Sequence, residues 1–127
     1  MMLRGALRAH LAAVGRPDAA HDVAHTDRVW TNAQVIAGGE PACDMTVLLG
    51  ATYLHDLVTL PKDHPDRARA SSLSAQMARP VLAGLGLTNE QVQAASHAIE
   101  AHSFSANVRP ETREAKILQD ADRIAAL

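Results

Sequence analysis

The adjacent residues His55 and Asp56 end a stretch of eight almost wholly apolar residues, 47–54. A charged pair in that position needs a reason, because a buried carboxylate without a partner costs several kcal/mol. Imidazole nitrogens and carboxylate oxygens are natural ligands for a divalent cation. Taken alone, however, the pair is explained as well or better by a helix end with a favourably placed histidine and an exposed aspartate.

Two further side chains of the ligand type share core-facing stripes with apolar residues. Asp122 follows Leu118 by four residues and precedes Ala125 by three, while His25 precedes Val29 by four. Both spacings place a polar side chain where a helix would bury an apolar one. Two imidazoles and two carboxylates would balance the charge of one divalent cation and leave positions for water and substrate. Such an open site is typical of catalysis.

Six segments with helical periodicity must position these side chains. The predicted helices cover residues 3–14, 25–37, 44–55, 67–83, 88–102 and 110–125. The chain has 25 Ala and only three aromatic residues, which favours helices over strands. No segment alternates apolar and polar residues as a strand would. The sequence therefore predicts an all-α, single-domain bundle of about six helices.

Capping and breaking residues set the predicted helix boundaries. Asp44 is a candidate N-cap, and Thr88 with Gln91 forms a capping-box pattern. Pro80 is expected to kink or split the fourth helix, and Pro110 suits the first position of the sixth. The spacing turns three apolar residues of the fourth helix inward: Leu73, Met77 and Val81.

The order His25, His55-Asp56, Asp122 resembles the HD superfamily of metal-dependent phosphohydrolases, all-helical proteins named for the adjacent pair. Longer strings are similar to one bacterial subgroup of predicted HD phosphohydrolases: HDVAHTDRVWTNA (21–33), YLHD (53–56), LPKDHPDRARASS (60–72), HAIEAHSFSA (97–106) and AKILQDADRIAAL (115–127). The resemblance covers a core at residues 21–127, preceded by an N-terminal helix within residues 1–16. Because family members continue with further helices, we expect this chain to lack the family's C-terminal helices.

The resemblance implies metal ligands and supporting residues. The implied ligands are His25, His55, Asp56 and Asp122, holding a divalent ion that could be Mn, Mg, Fe, Co, Ni or Zn. Asp122 is preferred to Asp120, because residues two apart lie about 200° around a helix and only Asp122 matches the family's ligand. Residues expected to support or orient these ligands are His21, Asp22, Asp120 and His97.

Hydrolysis of a phosphate would need cations and a proton carrier as well. The candidates for binding the phosphoryl oxygens of the substrate are Lys62, Arg67 and Arg28. Lys62 and Arg28 are also candidates for stabilising the negative charge that develops during catalysis. A solvated surface charge is an equally good interpretation of Arg67. Many HD phosphohydrolases carry acids directly after the pair, whereas residues 57–59 here are Leu, Val and Thr. His102 is therefore the candidate acid or base, or else a ligand for a second metal.

Charge and cysteine content limit the classes of partner. The net charge is −2, from 12 basic and 14 acidic residues, so the overall field does not attract nucleic acids or anionic membranes. The single cysteine, Cys43, excludes an intramolecular disulfide and fits a reducing cytosol. No apolar run approaches the ~18 residues of a membrane span. We expect a cytoplasmic enzyme that acts on a small phosphorylated substrate, with a nucleotide as the favoured class. The sequence leaves open whether the protein forms a homo-oligomer.

Two other interpretations compete with a phosphohydrolase. The segment His21-Asp22-Val23-Ala24-His25 resembles the metalloprotease pattern HExxH, but its shorter acid reaches less far toward water on the metal and the pattern leaves the His55-Asp56 pair unexplained. A noncatalytic helical regulator or scaffold is the second interpretation. A broken ligand set would indicate it, whereas all four implied ligands are present.

Overall fold

Six α-helices make up the fold of the computed structural model, which describes residues 2–13, 19–60, 63–103 and 106–126, with the backbone alone for 19–21. The helices are α1 (Leu3–Ala13), α2 (Ala19–Ala37), α3 (Met45–Leu54), α4 (Ala70–Gly84), α5 (Asn89–Ala101) and α6 (Arg113–Ala125), with a 3₁₀ turn at Arg67–Arg69. These described ranges contain no strand, which confirms the predicted all-α class. None of their helices is long and apolar enough to cross a membrane.

Helix α3 is the central element of the bundle. It packs against each of the other five helices, and seven of its ten residues are buried. A helix at the surface of a bundle buries only one face. The sequence of α3 is apolar all round the helix because α3 lies at the centre. The completely buried side chains of α3 and its neighbours include Leu48, Leu54, Leu82, Ile99 and Leu118.

Two predicted helix starts are confirmed. The side chain of Asp44 accepts hydrogen bonds from the amides of Thr46 and Val47 at 3.0 and 3.2 Å. Thr88 and Gln91 form the predicted capping box, in which each side chain bonds the other residue's amide, at 3.1 and 3.0 Å. These caps satisfy amides that the first turn of a helix leaves unpaired.

The starts of α4 and α6 differ from the prediction. Helix α6 begins at Arg113, not at Pro110, because the hydroxyl of Thr112 caps it by accepting a hydrogen bond from the amide of Ala115 at 3.1 Å. Helix α4 begins at Ala70 after the 3₁₀ turn. Pro80 does not split α4, which continues to Gly84. The proline is exposed, so water can reach the carbonyl that its missing N–H leaves unpaired.

The buried face of α4 is one residue out of step with the predicted face. Met77 is 51% exposed, and the buried positions are those of small residues and one leucine: Ser71, Ser74, Ala75, Ala78 and Leu82. Helix α4 packs chiefly against α5, and small side chains suit such a contact between helices. Helix α3 approaches α4 closely at one point, where a Cβ atom at Gly50 would lie only 2.8 Å from a methyl carbon of Leu82.

A polar cluster fastens α1 to the bundle. The guanidinium of Arg8 donates two hydrogen bonds to the carboxylate of Asp27, at 3.1 and 3.0 Å. The hydroxyl of Tyr53 also donates to Asp27, and Arg4 donates to that hydroxyl at 3.0 Å. Partial burial alone would raise the pKa of Asp27, but the bonds from Arg8 and Tyr53 outweigh it and lower that pKa. Asp27 is therefore ionised at neutral pH and joins three helices.

Candidate metal centre

The four predicted metal ligands converge from three helices. His25 lies on α2, His55 and Asp56 directly follow α3, and Asp122 lies on α6. The Nε2 atom of His55 is 3.2 Å from an oxygen of Asp56 and 3.3 Å from an oxygen of Asp122. The Nε2 atom of His25 is 3.2 Å from the same oxygen of Asp122. Side chains far apart in the sequence therefore point their donor atoms at one small volume.

The surroundings of His55 fix which of its nitrogens faces that volume. Its side chain is completely buried at the end of α3, and its Nδ1 atom donates a hydrogen bond to the carbonyl oxygen of Thr52 at 2.5 Å. Because a carbonyl can only accept, the proton of a neutral ring resides on Nδ1 and the lone pair on Nε2. That buried Nε2 forms no well-angled hydrogen bond within the described structure. A cation between Nε2 and the carboxylates would satisfy all three groups.

His102 belongs to the same cluster. It ends α5 as His55 ends α3, and its Nδ1 atom contacts the carbonyl oxygen of Ile99. Its ring packs edge-on against that of His55 with centroids 4.8 Å apart, and its Nε2 atom is 3.8 Å from an oxygen of Asp56. The same tautomer therefore turns a second buried imidazole lone pair toward the carboxylates.

Two overlapping groups of three donors could each hold an ion. One consists of His25, His55 and Asp56, and the other of His55, His102 and Asp122. Within each group the donor atoms all lie within 4.8 Å of one another. The residues therefore fit one divalent ion or a pair of ions. Histidine and carboxylate donors accept several first-row metals, so the geometry leaves the metal's identity open.

The charges in the cluster favour a cation. Partial burial would raise the pKa of Asp56, but the nearby positive charge of His55 lowers that pKa to about 2. Burial opposes ionisation of Asp122 too, yet contacts with His25 and His55 bring the pKa of Asp122 well below its usual range. Burial disfavours the charged form of His55, but Asp56 and Asp122 outweigh this and raise the pKa of His55 well above its ordinary value. The carboxylates stay negative, and a proton on His55 takes the place of a metal when none is bound.

An open cavity of about 380 Å³ leads to the cluster. Its wall includes His25, His102 and Asp122 together with Arg67, Arg123 and Gln119. The sequence prediction named Arg67 but missed Arg123 and Gln119. A signal for both was present, because Gln119 precedes Asp122 by one helical turn and Arg123 follows it directly. The cavity therefore has two guanidinium groups along its wall, a suitable arrangement for an anionic substrate.

Two other predicted site residues lie away from this cavity. Arg28 is exposed and lines a separate cavity with Asn32 and Ile124. Asp120 is exposed and lines another cavity, on the side of α6 that faces Glu40. Of the two carboxylates weighed on α6, Asp122 therefore lies in the cluster and Asp120 lies outside it. The roles assigned to Arg28 and Asp120 stay predictions.

Of the remaining predicted site residues, two make hydrogen bonds that hold the fold together, and the side chains of the other two lie outside the described residues. The Nε2 atom of His97 accepts a hydrogen bond from the amide of Glu111 at 3.0 Å, which ties α5 to the segment before α6. Asp22 lies one turn before His25 on α2, and its backbone carbonyl accepts a hydrogen bond from Thr26 at 2.9 Å. Lys62 and the side chain of His21 lie outside the described residues.

Comparison with known proteins agrees with the architecture and with the convergence of histidines and aspartates. Residues 22–127 match the family model of the HD domain. No curated protein matches the chain at a significant level. Since the family match spans most of the sequence and includes all four converging side chains, the chain belongs to the HD domain family.

Proposed function

We propose that this protein is a metal-dependent phosphohydrolase that cleaves a phosphate ester or phosphoanhydride of a small metabolite, with a nucleotide as the favoured substrate. One observation carries the proposal. The donor atoms of His25, His55, Asp56 and Asp122 converge on one volume beside an open cavity. Membership of the HD domain family supports it, because the resemblance to that family implies this chemistry.

The metal would be held by these four side chains, with His102 available for a second ion. A bound divalent cation supplies Lewis-acid stabilisation of phosphoryl oxygens and makes water nucleophilic at neutral pH. The bonds from the rings of His55 and His102 to backbone carbonyls hold both donors in place, so little ordering is needed when the ion binds. The two carboxylates match the charge of a divalent ion.

His102 is the side chain best suited to carry a proton. Burial and the nearby charge of His55 lower the pKa of His102, so its ring is neutral at pH 7. Its Nε2 atom can then accept a proton from attacking water and return it to the leaving oxygen. This role and that of a ligand for a second ion exclude each other at any one moment, and they predict different behaviour when His102 is replaced.

Recognition of the substrate would depend on its phosphate groups. Arg67 and Arg123 line the cavity and can stabilise phosphoryl oxygens, with Lys62 as the third predicted cation. Trp30 and Tyr53 are buried in the core, so neither can stack on a nucleobase, and the third aromatic residue, Phe104, lies outside the described residues. With so few aromatic residues in the chain, we infer that a nucleotide would be held chiefly through its phosphates and the metal.

The proposal is tested by loading the purified protein with Mn²⁺, Mg²⁺, Co²⁺ or Ni²⁺, measuring bound metal, and screening nucleoside mono- and triphosphates for released phosphate or pyrophosphate. The Asp56→Ala variant should lose activity by at least about a hundredfold, because it lacks a metal ligand. Full activity in that variant would overturn the mechanism. A protein that binds metal but hydrolyses none of these substrates would instead favour the noncatalytic scaffold.

A further inference from the structure

A second, smaller cavity of about 50 Å³ adjoins the metal centre. It shares Asp56, Arg67 and His102 with the larger cavity and extends from them to the start of α4, where Ala70 and Ser71 line it. A volume of about 15 Å³ is needed for one water, so this cavity has room for a phosphate group but not for a nucleoside. The two cavities thus form a small and a large compartment on either side of Asp56 and His102.

The hydroxyl of Ser71 is the unusual feature of the small compartment. Ser71 is 3% exposed, and its Oγ atom has no hydrogen-bond partner among the described residues. The buried hydroxyls of Thr26, Thr52 and Ser74 are paired. Thr26 and Thr52 donate to the carbonyls four residues before them, at 2.9 and 2.7 Å. A buried donor without a partner is rare in native proteins and is generally paired with water, an ion or a ligand.

Ser74 provides the sharpest contrast, since it lies one turn after Ser71 on the same buried face of α4. Its hydroxyl accepts a hydrogen bond from the amide of Val58 at 2.9 Å and contacts the Val58 carbonyl oxygen at 3.3 Å. It thereby holds the segment after Asp56 against α4. The chain uses one of these two serines to build the wall of the compartment and leaves the other with its hydrogen-bonding capacity unused.

The charges around Ser71 favour an anion. The compartment lies at the N-terminus of the 15-residue helix α4, where the helix dipole is positive, and the first turn of α4 contains no acid. Arg67 lines the same wall, and its guanidinium donates a hydrogen bond from Nη1 to the carbonyl oxygen of Leu60. Asp56 also lines the compartment, but its charge is balanced by protonated His55 or, in place of that proton, by the cation that the centre would hold.

We propose that the small compartment is a phosphate-binding subsite in which the Ser71 hydroxyl donates a hydrogen bond to a phosphate oxygen, while the rest of the substrate lies in the larger cavity. This assignment rests on the proposed phosphohydrolase function and specifies how the same site recognises its substrate. Ser71 binds the phosphate group in this proposal and moves no proton.

Titration of the Mg²⁺-loaded protein with inorganic orthophosphate at constant ionic strength tests the subsite, with thermal stabilisation and calorimetry as readouts. Wild-type protein should be stabilised by phosphate, and Ser71→Ala should bind it about tenfold or more weakly. Without phosphate, Ser71→Ala should melt no lower than wild type, because it removes an unpaired polar group.

Ser71→Cys, which keeps the size of the side chain but is a weak donor, should also bind phosphate weakly. The matched control Ser72→Ala changes the adjacent serine, which does not line the compartment, and should bind phosphate as wild type does.

The outcomes separate the subsite from the proposed reaction. If a substrate is found, Ser71→Ala should raise its KM about tenfold with kcat nearly unchanged. If none is hydrolysed, the phosphate titration still decides the subsite, because it needs no turnover. Equal phosphate affinity in wild type and Ser71→Ala would overturn the proposal even if hydrolysis is confirmed. Absence of any phosphate binding by wild type at tens of millimolar would overturn it as well.

Discussion

The Nε2 atom of His55 lies 3.3 Å from an oxygen of Asp122, although the two residues belong to opposite halves of the chain. The contact joins the end of the central helix α3 to the last turn of α6. The Nδ1–H group of His55 donates to a backbone carbonyl, so the Nε2 atom of a neutral ring carries a lone pair. That lone pair and the carboxylate of Asp122 repel each other unless a cation lies beside them. The contact therefore requires a metal ion or, when no metal is bound, a proton on His55.

Replacing Asp122 with Asn should weaken metal binding by more than about a hundredfold, because it removes a charged ligand between two histidines. The matched control is Asp120→Asn, which removes the same charge two residues away on the exposed side of α6. Calorimetric titration with Mn²⁺ or Ni²⁺ measures both affinities. Similar losses in the two variants would show that general charge, and not the cluster, governs binding.

Metal binding should release protons and should strengthen as pH rises. Burial opposes a charged His55, but its aspartate neighbours raise its pKa well above the ordinary value, so the ring carries an extra proton at pH 7 when no metal is bound. The metal must displace that proton. Calorimetry in buffers of different ionisation enthalpy should detect release of about one proton per ion at pH 7. Binding that is independent of buffer and pH would contradict the assignment of His55 as a ligand.

Replacing His102 with Gln distinguishes the two roles open to that residue. A proton carrier would lower kcat by roughly 10²–10⁴ while the metal content stays unchanged. A ligand for a second ion would instead lower the number of bound ions, which elemental analysis measures. The control is His97→Gln, because His97 bonds the amide of Glu111 away from the cluster. That variant should keep both its metal and its activity.

Asp27→Asn should loosen α1 and lower Tm by about 2–6 °C, since it weakens the bonds from Arg8 and Tyr53. The pKa of Asp27 is lower in the folded protein than its unfolded value of about 3.9, so its contribution is present above that value and is lost as pH falls below it. Thermal unfolding between pH 6 and 3 should therefore depend less on pH in the variant. An unchanged slope would show that other carboxylates dominate acid unfolding.

Gly50→Ala should destabilise the protein by about 1–3 kcal/mol, because the added methyl meets Leu82 at 2.8 Å where α3 and α4 approach. Gly84→Ala is the matched control at the end of α4, where an added Cβ has no neighbour within 4 Å of the described structure. It should be neutral or stabilise by up to about 1 kcal/mol. Urea denaturation measures both, and equal effects would contradict the packing argument.

Much of the fold was predictable from local patterns. Helical spacing, the Asp44 cap and the Thr88–Gln91 capping box depend on neighbours within four residues, so these features follow from the sequence alone. The buried face of α4 was not predictable in this way. Its small residues face inward because α4 packs chiefly against α5, and which face makes that contact depends on how the helices of the bundle assemble.

The sequence by itself determined the types of the metal-centre residues and, through periodicity and resemblance, which carboxylate of α6 faces inward. Only the tertiary structure decided that Arg123 and Gln119 line the cavity of the metal centre while Arg28 lines another, and that Ser71 adjoins the centre. The physical reason is that a cluster is defined by distances between helices. Those distances depend on side-chain packing around α3, which no periodicity within a single helix specifies.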